Sequence, residues 1–127
     1  MSTTSSTLTG AFVDAIAARD FAAARGLLHP EIDFRAMTPR RIWEADGPAE
    51  VEEVLRTWLA DPDEDITGVE AVAGATIADT DRGGWRVHGT GPDGAFTFEQ
   101  QAFVRERDGQ VGWLRIMCSG KRPLGGA

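Results

Sequence analysis

Between Trp85 and Ser119 the chain reads as three strands joined by two strong turns, and this limits the fold more than any other stretch. Gly91-Pro92-Asp93-Gly94 carries a proline at the second place of a tight turn. Asp108-Gly109 is a strong hairpin dipeptide. Between Phe96-Thr97-Phe98 and Ala102-Phe103-Val104 stands a polar triplet, Glu99-Gln100-Gln101. Side chains alternate along a strand, so at least one of the three must face the covered side. A buried polar group without a partner costs about 1–3 kcal/mol, so a function is expected at that position.

The rest of the chain supplies what covers such a sheet. Leu8, Phe12 and Ile16, with Ala11 and Ala15, form a helical stripe. Asp20 is placed to cap a short helix running to Leu27 and Leu28, with Pro30 beyond its end. Glu31 to Ala36 alternates as a strand stopped by Pro39, and Arg41-Ile42-Trp43-Glu44 suits a hairpin partner. Asp46-Gly47-Pro48 opens the best helix, with Val51, Val54, Leu55, Trp58 and Leu59 on one stripe. Ile66 to Ala78 is a strand candidate, closed by the turn Asp79 to Gly83. Helices first and a long meander afterwards predict a single α+β domain over residues 1–127, with flexible tails at 1–6 and 121–127. Its shape is a cone: a curved, mostly antiparallel sheet of four to six strands with three helices packed on the concave face.

Composition bounds the partners. A net charge of −7 argues against nucleic acid or an anionic membrane surface. No apolar run is long enough to span a membrane. Residues Ser2 to Thr7 lack the pattern of a secretory signal, so a cytoplasmic protein is expected. A single cysteine rules out an internal disulfide, and His29 and His88 have no ligand spacing, so no metal is expected.

Two short helices, a strand near "HPEIDFRAMTP", a helix after "ADGPAEVEEVLRTWL", then "GGWRVHG", "FTFEQQAFVRERDGQV" and "GWLRIM" resemble the nuclear transport factor 2-like superfamily, and within it the SnoaL-like proteins. The resemblance runs from about Leu8 to Ser119. It implies a deep pocket between sheet and helices, a homodimer, and either cofactor-free acid/base chemistry on a small hydrophobic molecule or ligand binding alone. Relatives include polyketide cyclases, ketosteroid isomerase, scytalone dehydratase and limonene epoxide hydrolase. The chain departs from them in two ways. It has no tyrosine, which excludes a tyrosine oxyanion donor, and Gln101 stands where SnoaL-type cyclases are expected to carry an aspartate. A neutral amide is not a general base.

Register decides which residues face the pocket. Pairing Thr90 with Ala95 sets Trp85 opposite Gln100 and Arg86 opposite Glu99, with Trp85, Val87, Phe96 and Phe98 on the apolar side. The second turn leaves two registers open. A two-residue type I′ loop groups Val111, Trp113, Arg115 and Met117 with Val104, Ala102 and Gln100. A glycine bulge at the turn groups them with Phe103, Gln101 and Glu99, and one further bulge between Phe98 and Phe103 reconciles this with the first hairpin. In both, Arg115 is the pocket-facing charge, with Gln101 and Glu99, or alternatively Gln100, beside it.

The candidate catalytic residues are therefore Glu99, as proton carrier, and Arg115. Gln101, Gln100, Arg35, Trp85, Trp113 and Met117 are the candidate substrate contacts. Glu99 is equally a surface ion-pair partner for Arg86. Asp33 and Arg35 with Glu99 offer a water-activating set or a solvated strand face. His88 offers an acid/base or a surface imidazole, and Cys118 a buried apolar side chain or, beside a cation, a reactive thiol. Two functions stand open: a cofactor-free acid/base enzyme acting on a hydrophobic carbonyl compound, and a non-catalytic ligand-binding or dimerising module.

Overall fold

The computed structural model describes residues 7–123. Three helices, α1 (Leu8–Ala17), α2 (Phe21–Gly26) and α3 (Gly47–Leu59), accompany seven strands. These are β1 (Leu28–Thr38), β2 (Arg41–Asp46), β3 (Asp65–Ala73), β4 (Asp81–Gly91), β5 (Gly94–Arg107), β6 (Gln110–Cys118) and β7 (Arg122–Pro123). The helix starts follow local chemistry. Thr7 Oγ1 accepts from Gly10 N, and Asp20 Oδ1 accepts from Ala23 N. At α3, Asp46 N donates to Glu50 Oε1 while Pro48 occupies the first turn. All five residues of the expected α3 stripe are buried.

The strands form one sheet in the order β2-β1-β6-β5-β4-β3, with β7 also paired to β5. Every pairing is antiparallel except β1 with β6. The sheet therefore holds one strand more than the expected range. That strand is β7, which pairs Pro123 with Phe96 and Arg122 with Thr97. It falls within the stretch from residue 121 expected as a tail; residues 1–6 and 124–127 lie outside the described residues. β3 is also shorter than expected, ending at Ala73, and Ile77 then bridges to Thr80 around a turn.

One face of the sheet carries the core. Phe34, Ala36, Trp85, Val87, Phe98, Ala102, Val104, Leu114 and Ile116 pack there in one buried cluster with Phe12, Ile16, Val51, Leu55 and Leu59 of α1 and α3. Burial of this apolar area is the main drive for folding.

The β4–β5 ladder pairs as the sequence predicts, unbroken from Asp81↔Val104 through Trp85↔Gln100 to Gly91↔Gly94. No bulge falls between Phe98 and Phe103. The β5–β6 hairpin combines the two expected registers. Asp108 and Gly109 have φ of 55° and 80°, as a type I′ turn needs, and Arg107 pairs with Gln110. The ladder then slips between Glu106↔Val111 and Arg105↔Trp113, leaving Gly112 as an extra residue. A Cβ on Gly112 would lie 2.3 Å from the Arg107 Cβ, so only glycine fits this bulge. The slip reverses the phase of β6. Val111 faces the core, and so do Leu114 and Ile116, while Trp113, Arg115 and Met117 turn the other way.

Candidate functional site

That phase reversal corrects the expected orientation of Arg115. It lies opposite Phe103, on the sheet face turned away from the helices. Its guanidinium reaches Asp33 Oδ1 at 3.1 Å, donates to the Asp33 carbonyl at 3.0 Å and stacks 4.4 Å above the Trp113 ring. Arg105 covers the same ring at 4.1 Å. Glu99 and Gln101 are on this outer face too, but they meet each other and Arg86 rather than Arg115. Arg86 Nη2 lies 3.0 Å from Glu99 Oε1, and Gln101 Nε2 donates to Glu99 Oε2 at 2.6 Å. Arg35 pairs with Glu44 at 3.2 Å, and Met117 is half exposed. His88 Nε2 meets Glu70 Oε1, and that hydrogen bond holds the Glu70 carboxyl below its ordinary range.

Gln100 and Trp85 face inward. Gln100 is 1% exposed and Trp85 fully buried. Trp85 Nε1 donates to Gln100 Oε1 at 2.7 Å. An indole N–H only donates, so this bond fixes the amide with its NH2 pointing elsewhere. That Nε2 has no partner. The Trp58 Nε1 is likewise buried without one, and both residues line a single hollow of about 310 Å³ between the end of α3, the β1–β2 turn and the end of β6. The third such atom among the described residues, Arg82 Nε, lies away from it, beside α1.

The hollow has an aromatic wall. Trp43 meets Trp58 edge-on, with centroids 5.6 Å apart, and Trp43 Nε1 is anchored on Thr38 Oγ1 at 2.8 Å. Phe98 and Cys118 complete the apolar lining. The mouth is polar. Asp61, past the C-terminus of α3, accepts from Asp63 N through Oδ1. The Glu64 side chain is 7% exposed and forms an ion pair with Lys121, whose ammonium also sits 4.9 Å from the Phe96 ring centre. Two carboxylates against one engaged ammonium leave the hollow formally one charge negative. Lys121 is held there by a short strap. Ser119 exchanges hydrogen bonds with the Glu99 backbone, and Gly120, at φ 80°, presses on Pro39, where a Cβ would meet Cγ at 2.8 Å. Asp61 and Glu64 are the pocket's carboxylates; no group of three His, Cys, Asp or Glu gathers among the described residues.

A model of the SnoaL-like domain matches residues 10–112. The chain belongs to the SnoaL-like domain family. No curated protein matches its sequence. Among solved structures, this SnoaL-like chain is similar to an LEH-like epoxide hydrolase from M. tuberculosis, at 13% identity over 88% of this chain and 80% of that one, with a TM-score of 0.60. It is similar to a candidate SnoaL-like polyketide cyclase from Shewanella putrefaciens, at 11% identity over 93% and 90%, with a TM-score of 0.66. A protein of ketosteroid isomerase-like fold from Catenulispora acidiphila, in complex with trimethylamine, matches at 12% identity over 86% and 82%, with a TM-score of 0.63. At these identities the likeness is one of fold.

In the SnoaL-like chain the sequence signal for Gln100 was available. The alternation Phe96, Phe98, Gln100, Ala102 carries it inward without any bulge. Trp43 and Trp58 were legible as core but not as pocket wall. Asp61, Glu64 and Lys121 carried no signal, because a carboxylate in "DPDED" and a lysine near the chain's end look like ordinary surface charge. Two residues with buried, unpartnered N–H groups, a carboxylate at 7% exposure and a thiol thus line one mostly apolar hollow.

Proposed function

We propose that the protein binds a small, uncharged, hydrophobic carbonyl compound in the hollow beneath Trp58. The observation that carries this reading is the pair of buried, unpartnered N–H groups on Gln100 and Trp58. A buried donor left unmade costs about 1–3 kcal/mol, so a ligand oxygen that accepts from it recovers that cost. The volume of about 310 Å³ is at the small end for ligand sites, which suits one or two rings. The negative balance at the mouth, with Lys121 already engaged by Glu64, disfavours a carboxylate ligand. Benzylacetone and phenylpropionate test this, read by quenching of tryptophan fluorescence. Benzylacetone is expected to bind saturably and phenylpropionate about tenfold more weakly. Absence of saturable binding by the ketone, or preference for the acid, overturns the reading.

A second reading, cofactor-free proton transfer, is favoured by Glu64. A nearly buried carboxylate shares the hollow with donors suited to a developing oxyanion. Exchange of the ketone's α-protons in heavy water, followed by NMR, is expected to stop in Glu64→Gln; no exchange in the natural protein leaves binding alone.

The outer face suits a second copy of the chain. Met37, Ile42 and Met117 are 51%, 67% and 50% exposed beside a concave area of about 670 Å³ that also includes Phe103. Charges of both signs, Arg35 with Glu44 and Arg115 with Asp33, border it, as a two-fold contact can match. Ile42→Glu with Met117→Glu is expected to turn a dimer into a monomer in sedimentation velocity; a natural protein already monomeric overturns this. A cytoplasmic location fits a single free thiol.

A further inference from the structure

Cys118 is the chain's single cysteine and is not bridged. It ends β6 on the inward face, following Leu114 and Ile116, and lines the same hollow as Gln100 and Trp58. Its partner across the β5–β6 ladder is Gln100. Side chains facing each other across such a ladder have Cβ atoms about 4.5–5.5 Å apart. The Gly120 N–H donates to Cys118 Sγ at 3.4 Å. A soft nucleophile thus stands beside an N–H donor that is 1% exposed and has no partner.

A saturated ketone uses only the donor. A ligand that uses both groups needs an acceptor oxygen and an electrophilic carbon a few bonds away. We propose that Cys118 is a covalent capture site for small α,β-unsaturated ketones. The proposal rests on the carbonyl reading of the pocket. The thiol gives its proton to water, and the sulfur forms a bond to the β-carbon. The carbon–carbon π pair moves toward the carbonyl, whose oxygen takes the negative charge against the Gln100 and Trp58 N–H groups. The α-carbon then takes a proton from water as the carbonyl re-forms. The net change is addition of S–H across the double bond, with no oxidant or reductant. Donors placed where charge develops accelerate such a step.

The test uses the full chain and three probes. Benzylideneacetone is the enone, benzylacetone its saturated counterpart, and methyl methanethiosulfonate a thiol reagent with no carbonyl. Intact mass and peptide mapping read the product. The enone is expected to give one adduct, on Cys118, at least about tenfold faster than with the urea-unfolded chain, and benzylacetone is expected to slow it. Gln100→Leu is expected to slow enone addition about tenfold while leaving the methanethiosulfonate rate within about twofold; Trp58→Phe gives the same split if the first variant fails to fold. Cys118→Ser is expected to form no adduct. An enone rate equal to that of the unfolded chain overturns the proposal, as does an equal loss of both rates in the variants. Saturable benzylacetone binding with slow enone addition overturns covalent capture alone, whereas failure of benzylacetone to bind overturns the pocket reading beneath it.

Discussion

The two faces of β5 treat their polar groups in opposite ways. On the outer face Glu99 and Gln101 satisfy one another, with Arg86 closing the set. On the inner face, one residue away, Gln100 is held by Trp85 at its oxygen and left with nothing at its nitrogen. The outer set is self-sufficient and partly wet, which is the usual state of a surface ion pair and worth little to stability. The inner group is dry and incomplete, the state in which a missing partner is costly. Charge is therefore a poor guide to function here, and the neutral amide a better one.

Four tests break or sharpen that contrast. The largest effect is expected from paired truncations on the two faces of β6. Leu114→Ala is expected to destabilise by about 2–5 kcal/mol, through lost contacts and a cavity, while Met117→Ala, half exposed on the other face, changes stability by less than about 0.5 kcal/mol under monomeric conditions. Urea denaturation of both variants measures the difference, and equal effects would contradict the assigned phase. Next comes Gly112→Val, which drives a side chain into Arg107 and is expected to cost about 1–3 kcal/mol in the same assay. Third, Gln100→Leu is expected to weaken benzylacetone binding about tenfold, and Gln101→Leu to leave it unchanged. Fluorescence titration reads both; equal losses would mean that the hollow is not the binding site.

The smallest effect lies away from either face, on α3. A hydrogen bond from Arg56 to Glu52, opposed by partial burial and reinforced by Arg25, holds the Glu52 carboxyl below its ordinary value. A carboxylate whose folded pKa is depressed contributes stability that is fully present above its unfolded value. That contribution is lost as pH falls through the folded value. Glu52→Gln is therefore expected to lower stability by under about 1 kcal/mol near neutral pH and to change it little in acid below both values. Denaturation curves at several pH values check the sign; a variant equally stable at neutral pH would show that the pair contributes nothing.

Local rules carried much of the fold. The α3 stripe, the Asp20 cap and the β4–β5 ladder follow from residue chemistry over a few neighbours, and each is found as expected. The β5–β6 hairpin was harder, because its turn and its ladder obey different registers. Asp108-Gly109 specifies the type I′ turn, but the slip at Gly112 depends on how close Arg107 comes, which the local sequence does not encode. Both expected registers lack the slip at Gly112, and that alone aimed Arg115 at the core. The pocket's mouth was illegible for another reason. Glu64 and Lys121 come from segments far apart in the chain, and only the folded strap brings them together.

Gly112 also shows how loosely the inside and outside of this molecule are tied to one another. With that residue kept but paired in turn with Arg105, so that the ladder did not slip, β6 would run in unbroken register from Gln110 onward and set Arg115 opposite Ala102. Arg115 would then swing beneath the helices, and Leu114 and Ile116 would be turned out to water. A slip of one residue in pairing thus separates a greasy lining from a cationic one, without altering any loop length or strand order.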